Sequence, residues 1–308
     1  MKILKPRFWD KNYHTFLSIF LFPVSLLYKI AISLRKIIIT EKQFSIPIIC
    51  VGNIYIGGTG KTPISVEIFK ILKSLGKSPA FVKKYYSFLE DEIQELKLSG
   101  DVFVSKSRII SIENLEKNGN DVAILDDGFQ DYTIHKDFNI LCFDENLWIG
   151  NGMTIPAGPL REPLKSLKKA NCVLIKGKKN NDIENKIRSY NSEVEIYYFY
   201  FDIENKEKLI NKQLVAFSGI GNNENFFENL IKNNLKIKKK FSFPDHYNFK
   251  NNDIEKIILA AESLEAQIVT TEKDYFRIND NFKSKITPIK INTVIEEKDK
   301  FIENLKKI

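Results

Sequence analysis

The chain has 308 residues, 43% of them hydrophobic and 12% aromatic, which excludes a disordered tail, a collagen-like repeat or a mini-protein and suits two α/β domains. It carries 47 basic against 39 acidic residues, a formal charge of +8 with a pI near 9.1. Only six of the basic residues are Arg, which argues against a nucleic-acid reader and leaves compositional bias, an anionic membrane or a phosphorylated substrate as the meaning of the surplus.

The first element in the chain is an apolar segment. Asn12 to Tyr28 holds no formal charge, and Lys2, Lys5, Arg7 and Lys11 precede it while Lys29, Arg35 and Lys36 follow. A full span needs ~20 apolar residues, so this run is borderline, with a kink expected at Pro23. A membrane anchor is the reading, with a buried core helix or a cleaved signal as alternatives; single-pass and half-buried insertion stay open.

After Glu41 short apolar runs alternate with amphipathic stretches. Ile46–Val51, Ala80–Val82, Val102–Val104, Val122–Leu125, Ile140–Phe143 and Val173–Ile175 are expected as buried strands of a mainly parallel sheet. Residues 176–191 are polar and expected at the periphery, and Val194–Ile203 is a β-prone connector. A second series follows: a strand at Leu214–Phe217, helices near Glu224–Lys232 and Asp253–Leu264, strands at Ile268–Thr270 and Ile286–Ile291, and a last helix from Glu296. The expected fold is α/β, a P-loop NTPase-like three-layer sandwich with a second, smaller α/β domain and an N-terminal membrane-associated helix. The expected boundaries are 1–40 for the membrane-associated segment, 41–200 for the larger α/β domain and 201–308 for the smaller domain.

Cys50, Cys142 and Cys172 each lie in a strand-like apolar run, without a CxxC spacing, and are expected as buried thiols in a reducing compartment. The only histidines are His14, His135 and His246, whose spacing is not that of a metal motif.

Gly57-Gly58-Thr59-Gly60-Lys61-Thr62-Pro63 follows one predicted strand and opens a helix with Ile64, Ile68, Ile71, Leu72 and Leu75 on one face. That is the context of a Walker A loop: glycines let backbone N–H groups converge on phosphate, Lys61 neutralises the β/γ-phosphates and Thr62 turns its hydroxyl to Mg²⁺. The nucleotide site is therefore Gly57, Gly58, Thr59, Gly60, Lys61 and Thr62. The strict pattern wants Gly at Tyr55, and Ile56 stands where partitioning ATPases carry a signature Lys. Asp126-Asp127 closes the strand Val122–Leu125 as a Walker B element does. Pro156-Ala157-Gly158-Pro159-Leu160-Arg161-Glu162-Pro163 forms a stiff loop offering a phosphate donor and a carboxylate, and Phe243-Pro244-Asp245-His246-Tyr247-Asn248-Phe249 places a lone His in the second domain.

GGTGKTP, DDGFQ, GNG, PAGPLREP, AFSGIGNNENFF (Ala216–Phe227), FPDHYNF and TTEKD (Thr270–Asp274), in that order, resemble the tetraacyldisaccharide 4'-kinases, the lipid A 4'-kinases of Gram-negative bacteria. The likeness runs from the apolar N-terminus to about Arg277, and the missing first Gly of the Walker A loop is a feature that family shares. The resemblance implies ATP-dependent phosphorylation of the 4'-hydroxyl of a tetraacyl glucosamine disaccharide 1-phosphate, with ATP and Mg²⁺, at the cytoplasmic face of the inner membrane. It implies a monotopic anchor, a lipid A precursor and membrane lipid as partners, no nucleic acid and no obligate protein partner. It also implies Asp91, His246, Lys61, Asp127 and Arg161 as catalytic residues, with Asp91 and His246 the hydroxyl-activating pair, and Thr62, Asp126, Asp127 and Glu162 as metal ligands. Asp91 is carried over from an acidic block that is degraded here to Glu90-Asp91-Glu92-Ile93. Lys83-Lys84-Tyr85-Tyr86 replaces the family's Arg-Gly-Tyr-Gly, and Asp131 replaces the His that normally follows DDGFQ. These departures motivate one alternative, a degenerate non-catalytic homologue; the other is a membrane-tethered P-loop ATPase switch, which Ile56 and the His-bearing second-domain loop disfavour.

Overall fold

The computed structural model describes residues 6–11, 13–86, 90–204, 206–245 and 247–308. The chain forms two compact units, one of residues 1–85, 100–199 and 295–308, the other of residues 86–99 and 200–294. It thus passes from one unit to the other four times.

The larger sheet, most of it in the first unit, is built of β1 (Ile48–Gly52), β4 (Val122–Asp126), β2 (Pro79–Lys84), β3 (Val102–Ser105), β5 (Phe138–Asp144), β6 (Cys172–Lys176) and β7 (Glu195–Ile203) in the order β7-β6-β5-β1-β4-β2-β3, with β12 (Ile291–Ile295) beyond β7. The seven central strands are parallel, so they cannot be joined by hairpins and require helical crossovers on both faces. Their sequences are near-continuous apolar runs because each strand is covered twice. Cys50, Val82, Leu125, Phe143 and Ile175 turn to the face holding Ile112 and Leu115 of α4 (Arg108–Lys117) and Ile183 and Ile187 of α5 (Asn181–Arg188). On the other face α2 (Lys61–Ser74) packs against β1, β2 and β4, and α10 (Lys298–Leu305) sets Phe301 edge-on to Tyr197 at 5.4 Å. Full burial of such Val, Leu, Ile and Phe side chains contributes ~1.5–3 kcal/mol each, which the ordering of the chain largely offsets. All three cysteines are buried and free, and burial pushes the Cys50 thiol up to about 11.

The chain leaves β1 for β2 on one side of the sheet and leaves β4 for β5 across β1. The strand order therefore reverses beside β1, and the carboxyl ends of β1 and β4 form the crevice where open parallel sheets bind ligands.

The second unit repeats the logic on a smaller scale. Its parallel sheet has the order β11-β10-β8-β9, made of β11 (Ile286–Ile289), β10 (Gln267–Thr271), β8 (Gln213–Ser218) and β9 (Lys236–Ser242). Along β8 the side chains alternate: Leu214 and Ala216 meet Phe226, Phe227 and Leu230 of α6 (Asn223–Lys232), while Val215 and Phe217 meet Ile254, Ile257 and Ile258 of α7 (Asn251–Ser263). Two shorter helices, α3 (Glu90–Lys97) and α8 (Glu272–Tyr275), pack on one another; α9 (Asp280–Lys283) precedes β11.

The structure alters several of the expected elements. The single strand expected at Ile286–Ile291 is two strands, β11 and β12, which belong to different sheets. The polar stretch 176–191 contains α5, started by the Asn180 side chain accepting from the amides of Asp182 and Ile183. Sequence reading missed β9, α3 and α4.

The apolar N-terminal segment is α1 (Phe16–Ile38), a 23-residue helix capped by the Thr15 side chain and running unbroken through Pro23. Its polarity is inverted relative to a surface helix of a soluble domain. Ser18 and Ser25 are its buried residues, whereas Phe16, Leu17, Ile19, Phe20, Leu27, Ile37 and Ile38 are exposed. The Ser25 hydroxyl donates to Thr154 O at 2.7 Å and accepts from Ala157 N at 3.0 Å. Tyr28 donates to Arg161 O at 3.0 Å, and Lys36 pairs with Glu162 at 2.6 Å. These contacts hold one flank of the helix to the 154–162 loop over several turns. Ser25→Ala strips two buried backbone groups of their partner and is expected to weaken helix docking by about 1–3 kcal/mol. Limited proteolysis should then cut α1 faster in the variant; equal cleavage rates would show that the hydroxyl does not hold the helix.

Candidate active site

Between β1 and α2 the chain turns through Gly57 at φ +131° and Gly60 at φ +86°, backbone settings that side chains with a Cβ rarely adopt. Buried Asn53 braces this loop from beneath, its amide donating to Gly57 O at 3.2 Å and to Thr59 Oγ1 at 3.0 Å. Gly60 is the N-cap of α2, so the first amides of that helix and its positive end point into the loop. Pro63 lies in the first turn, where its missing N–H costs no hydrogen bond.

The two carboxylates closing β4 face different partners. Asp126 is fully buried; Thr62 Oγ1 donates to it at 3.2 Å, Ser65 Oγ at 3.1 Å, and Lys83 Nζ forms an ion pair with it. Asp127 takes a left-handed backbone at φ +58° that carries its side chain towards the phosphate loop. Arg161 Nη1 donates to both of its oxygens at 3.0 and 3.2 Å, and Lys61 Nζ stands 3.7 Å away. Burial alone would push the Asp127 carboxyl up, but Lys61, Arg161 and Lys83 outweigh it and hold the group well below the usual carboxylate range. Arg161 is aimed there because its loop is stitched to the segment before the glycines, with Arg161 N donating to Ile54 O at 2.7 Å and Ile56 N to Pro159 O at 2.9 Å.

The structure thus brings Lys61, Thr62, Asp126, Asp127 and Arg161 together around Gly57–Gly60. Glu162 turns the other way, accepting from Lys36 and from Ser166 Oγ, each at 2.6 Å; its Oε1 has no hydrogen-bond partner among the described residues. Asp91 belongs to the second unit, where it pairs with Arg277 and lies 3.6 Å from Lys273. His246 lies outside the described residues. At the DDGFQ block Asp131 forms an ion pair with Arg108 at 3.1 Å, and Arg108 also donates to Asp127 O at 2.8 Å.

Sequence reasoning missed Asn53, Ser65, Lys83 and Arg108. A usable signal existed for Lys83: in parallel register Val82 stands opposite Leu125, so the next residues, Lys83 and Asp126, are neighbours.

Hard oxygen donors suit Mg²⁺, which takes one or two carboxylates and completes its shell with phosphate and water. The Thr62 hydroxyl beside the Asp126 carboxylate, with Asp127 next in the chain, fits that demand. Among the described residues no group of three or more His, Cys, Asp or Glu forms an all-protein metal cage.

A glycine loop between a central strand and its helix, facing a carboxylate pair on the next strand, defines a P-loop NTPase-like nucleotide-binding fold. The sequence matches the family Tetraacyldisaccharide-1-P 4'-kinase over residues 17–308, and the chain belongs to that family. It is similar to the tetraacyldisaccharide 4'-kinase of Pelagibacter ubique (strain HTCC1062), 37% identical over 316 aligned positions that cover 100% of this chain and 99% of that protein. The Rickettsia bellii (strain OSU 85-389) tetraacyldisaccharide 4'-kinase is 34% identical, with 91% of each chain covered. The crystal structure of LpxK from Aquifex aeolicus in complex with ATP superposes with a TM-score of 0.72 at 25% identity, covering 94% of this chain and 99% of that one.

The lowered Asp127 carboxyl has a consequence for acid stability. Its contribution is complete above the unfolded carboxylate value of about 3.9 and is lost as pH falls towards the lower folded value. Asp127→Asn should remove that part of the acid limb, seen as a shallower fall of urea-unfolding free energy below about pH 4. Parallel slopes for variant and wild type would contradict the assignment.

Proposed function

We infer that the chain is an ATP-dependent kinase that phosphorylates the 4'-hydroxyl of tetraacyldisaccharide 1-phosphate, a step of lipid A biosynthesis. The observation that carries this reading is the convergence of Lys61 and Arg161 on Asp127 beside the Gly57–Gly60 turn, in a chain of the 4'-kinase family.

Phosphoryl transfer asks for positioning and charge neutralisation more than covalent chemistry. In this proposal the backbone of Gly57, Gly58, Thr59 and Gly60 cradles the ATP phosphates, and Lys61 and Arg161 exchange part of their hold on Asp127 for phosphate oxygens. Thr62, Asp126 and Asp127 would hold Mg²⁺, which supplies charge neutralisation to the phosphates when bound. Glu162, expected as a metal ligand, is instead taken up by Lys36 and Ser166 and is assigned to holding α1 on its loop. Lys83 balances Asp126 from the core side. Asp91 and His246 form the pair that orients the acceptor hydroxyl and takes its proton. Residues 41–200 are proposed as the P-loop kinase domain and 201–308 as the smaller α/β domain.

The substrate joins an anionic sugar to acyl chains, so its enzyme works at a lipid surface. We propose that α1, in the segment 1–40, is a monotopic anchor at the cytoplasmic face of the inner membrane. Its buried serine side grips the 154–162 loop, its apolar side meets acyl chains, and Lys29 and Arg35 lie among its residues near anionic headgroups. The partners proposed are the lipid A precursor and membrane lipid, with no nucleic acid and no obligate protein partner.

The test supplies γ-labelled ATP, Mg²⁺ and tetraacyldisaccharide 1-phosphate in detergent micelles. Label should appear in the lipid, and Lys61→Ala should cut the rate by about 10²–10³-fold, the usual effect of removing one group that stabilises transition-state charge. Absence of labelled lipid, where another 4'-kinase labels it under the same conditions, would overturn the proposal.

A further inference from the structure

The TTEKD block, Thr270–Asp274, is the centre of a buried polar network in the second unit. Thr271 caps α8: its hydroxyl accepts from Asp274 N at 3.0 Å and donates to Asp274 Oδ2 at 2.8 Å. Asp274 is fully buried and also accepts from Gly219 N at 2.9 Å and from Arg277 Nη1 at 3.1 Å. Arg277 Nη1 reaches Gly219 O at 3.0 Å, and its other terminal nitrogen, Nη2, pairs with Asp91. Lys273 completes the cluster 3.0 Å from Glu92 and 3.6 Å from Asp91.

Gly219 is where this network meets the FPDHYNF block. A Cβ there would lie 3.2 Å from Pro244 O and 3.3 Å from both Tyr247 Cβ and Asp274 Oδ1, so the three neighbours pack tightly on this glycine and would each have to give by a few tenths of an ångström to admit a side chain. The block is fastened at both ends. Phe243 N donates to Ser218 O and Asn223 Nδ2 to Phe243 O, each at 2.8 Å, while Tyr247 donates to Asp253 at 3.0 Å. Phe243, Tyr247 and Phe249 pack ring on ring, with centroids 4.9–5.5 Å apart.

A guanidinium is planar, so the groups its two terminal nitrogens contact are held in a fixed relation, which a lysine cannot reproduce. Here one nitrogen is committed to Asp274 and the Gly219 turn, and the other to Asp91. We infer that Arg277, braced by Asp274, is the positioning residue that fixes the Asp91 carboxylate against the Gly219 turn, which Pro244 and Tyr247 approach closely. This inference rests on the proposed pairing of Asp91 with His246, and it gives the TTEKD block its function: Arg277 touches no substrate and acts through Asp91.

The experiment is a double-mutant cycle on kinase turnover, with the full chain in detergent micelles and ATP as the varied substrate. Arg277→Gln should lower kcat by about 10²-fold, the cost of a misplaced reacting group, and leave KM for ATP unchanged because the phosphate-loop residues lie in the first unit. Arg277→Lys keeps the charge but loses the fork and should recover only part of the rate. In an Asp91→Asn background, whose residual turnover is slow but measurable, Arg277→Gln should add little further loss, since both changes remove one interaction. Thermal melts check that the variants fold; if Arg277→Gln unfolds, Arg277→Lys carries the test. Wild-type kcat in the folded Arg277 variants, or the same fold loss with and without Asp91, would overturn the inference. Wild-type turnover in Asp91→Asn alone would instead overturn the proposed role of Asp91.

Discussion

Two consecutive carboxylates at the buried end of a central strand are the constraint from which the first unit is organised. Like charges a few ångströms apart in protein repel by about 4 kcal/mol at the effective dielectric of such sites, so Asp126 and Asp127 cannot share one environment uncompensated. The chain separates them by a left-handed turn at Asp127 and gives each its own cations. Asp126 stays in the core with Lys83, Thr62 and Ser65, while Asp127 faces Lys61 and Arg161 beside the glycine turn. Arg108, tied to Asp131, grips the carbonyl of Asp127 and helps hold that turn. The outcome is one carboxylate anchored by structure and one whose cations are available for exchange with phosphate.

The same constraint links the apolar helix to the nucleotide site. Arg161 can reach Asp127 because residues 159–161 are hydrogen-bonded to Ile54 and Ile56 just before the glycines. That loop in turn receives Ser25, Tyr28 and Lys36 of α1. A single irregular segment, 154–162, therefore connects the outward-facing apolar helix on one side with the phosphate loop on the other.

Much of this was legible in the sequence because its signals are local. Buried parallel strands read as continuous apolar runs, and a glycine turn before an amphipathic helix has few other uses. The failures follow from the same physics. β9 is an exposed edge strand rich in lysine, and a bulge shifts its register between Leu214 and Val215, so Ile237 and Phe241 pack on opposite faces of the sheet and hide the two-residue period. α5 buries only Ile183 and Ile187, too little for a periodic pattern. Residues 286–291 carry three isoleucines and a threonine and read as one strand despite Pro288, and nothing in their local pattern says that the chain changes sheets at Lys290. The predicted site residues of the first unit came from motifs; their partners Asn53, Lys83 and Arg108 are set by strand register and loop packing, which no motif contains.

The central claim is that the Gly57–Thr62 loop and the paired aspartates form the ATP phosphate site. A crystal structure of the protein with Mg²⁺ and a non-hydrolysable ATP analogue tests it most directly. The expected result has the phosphates on the amides of Gly58–Thr62, Lys61 moved from Asp127 to a phosphate oxygen, and the metal beside Thr62 and the aspartates. Phosphates bound elsewhere, with the Lys61–Asp127 and Arg161–Asp127 contacts unchanged, would contradict it.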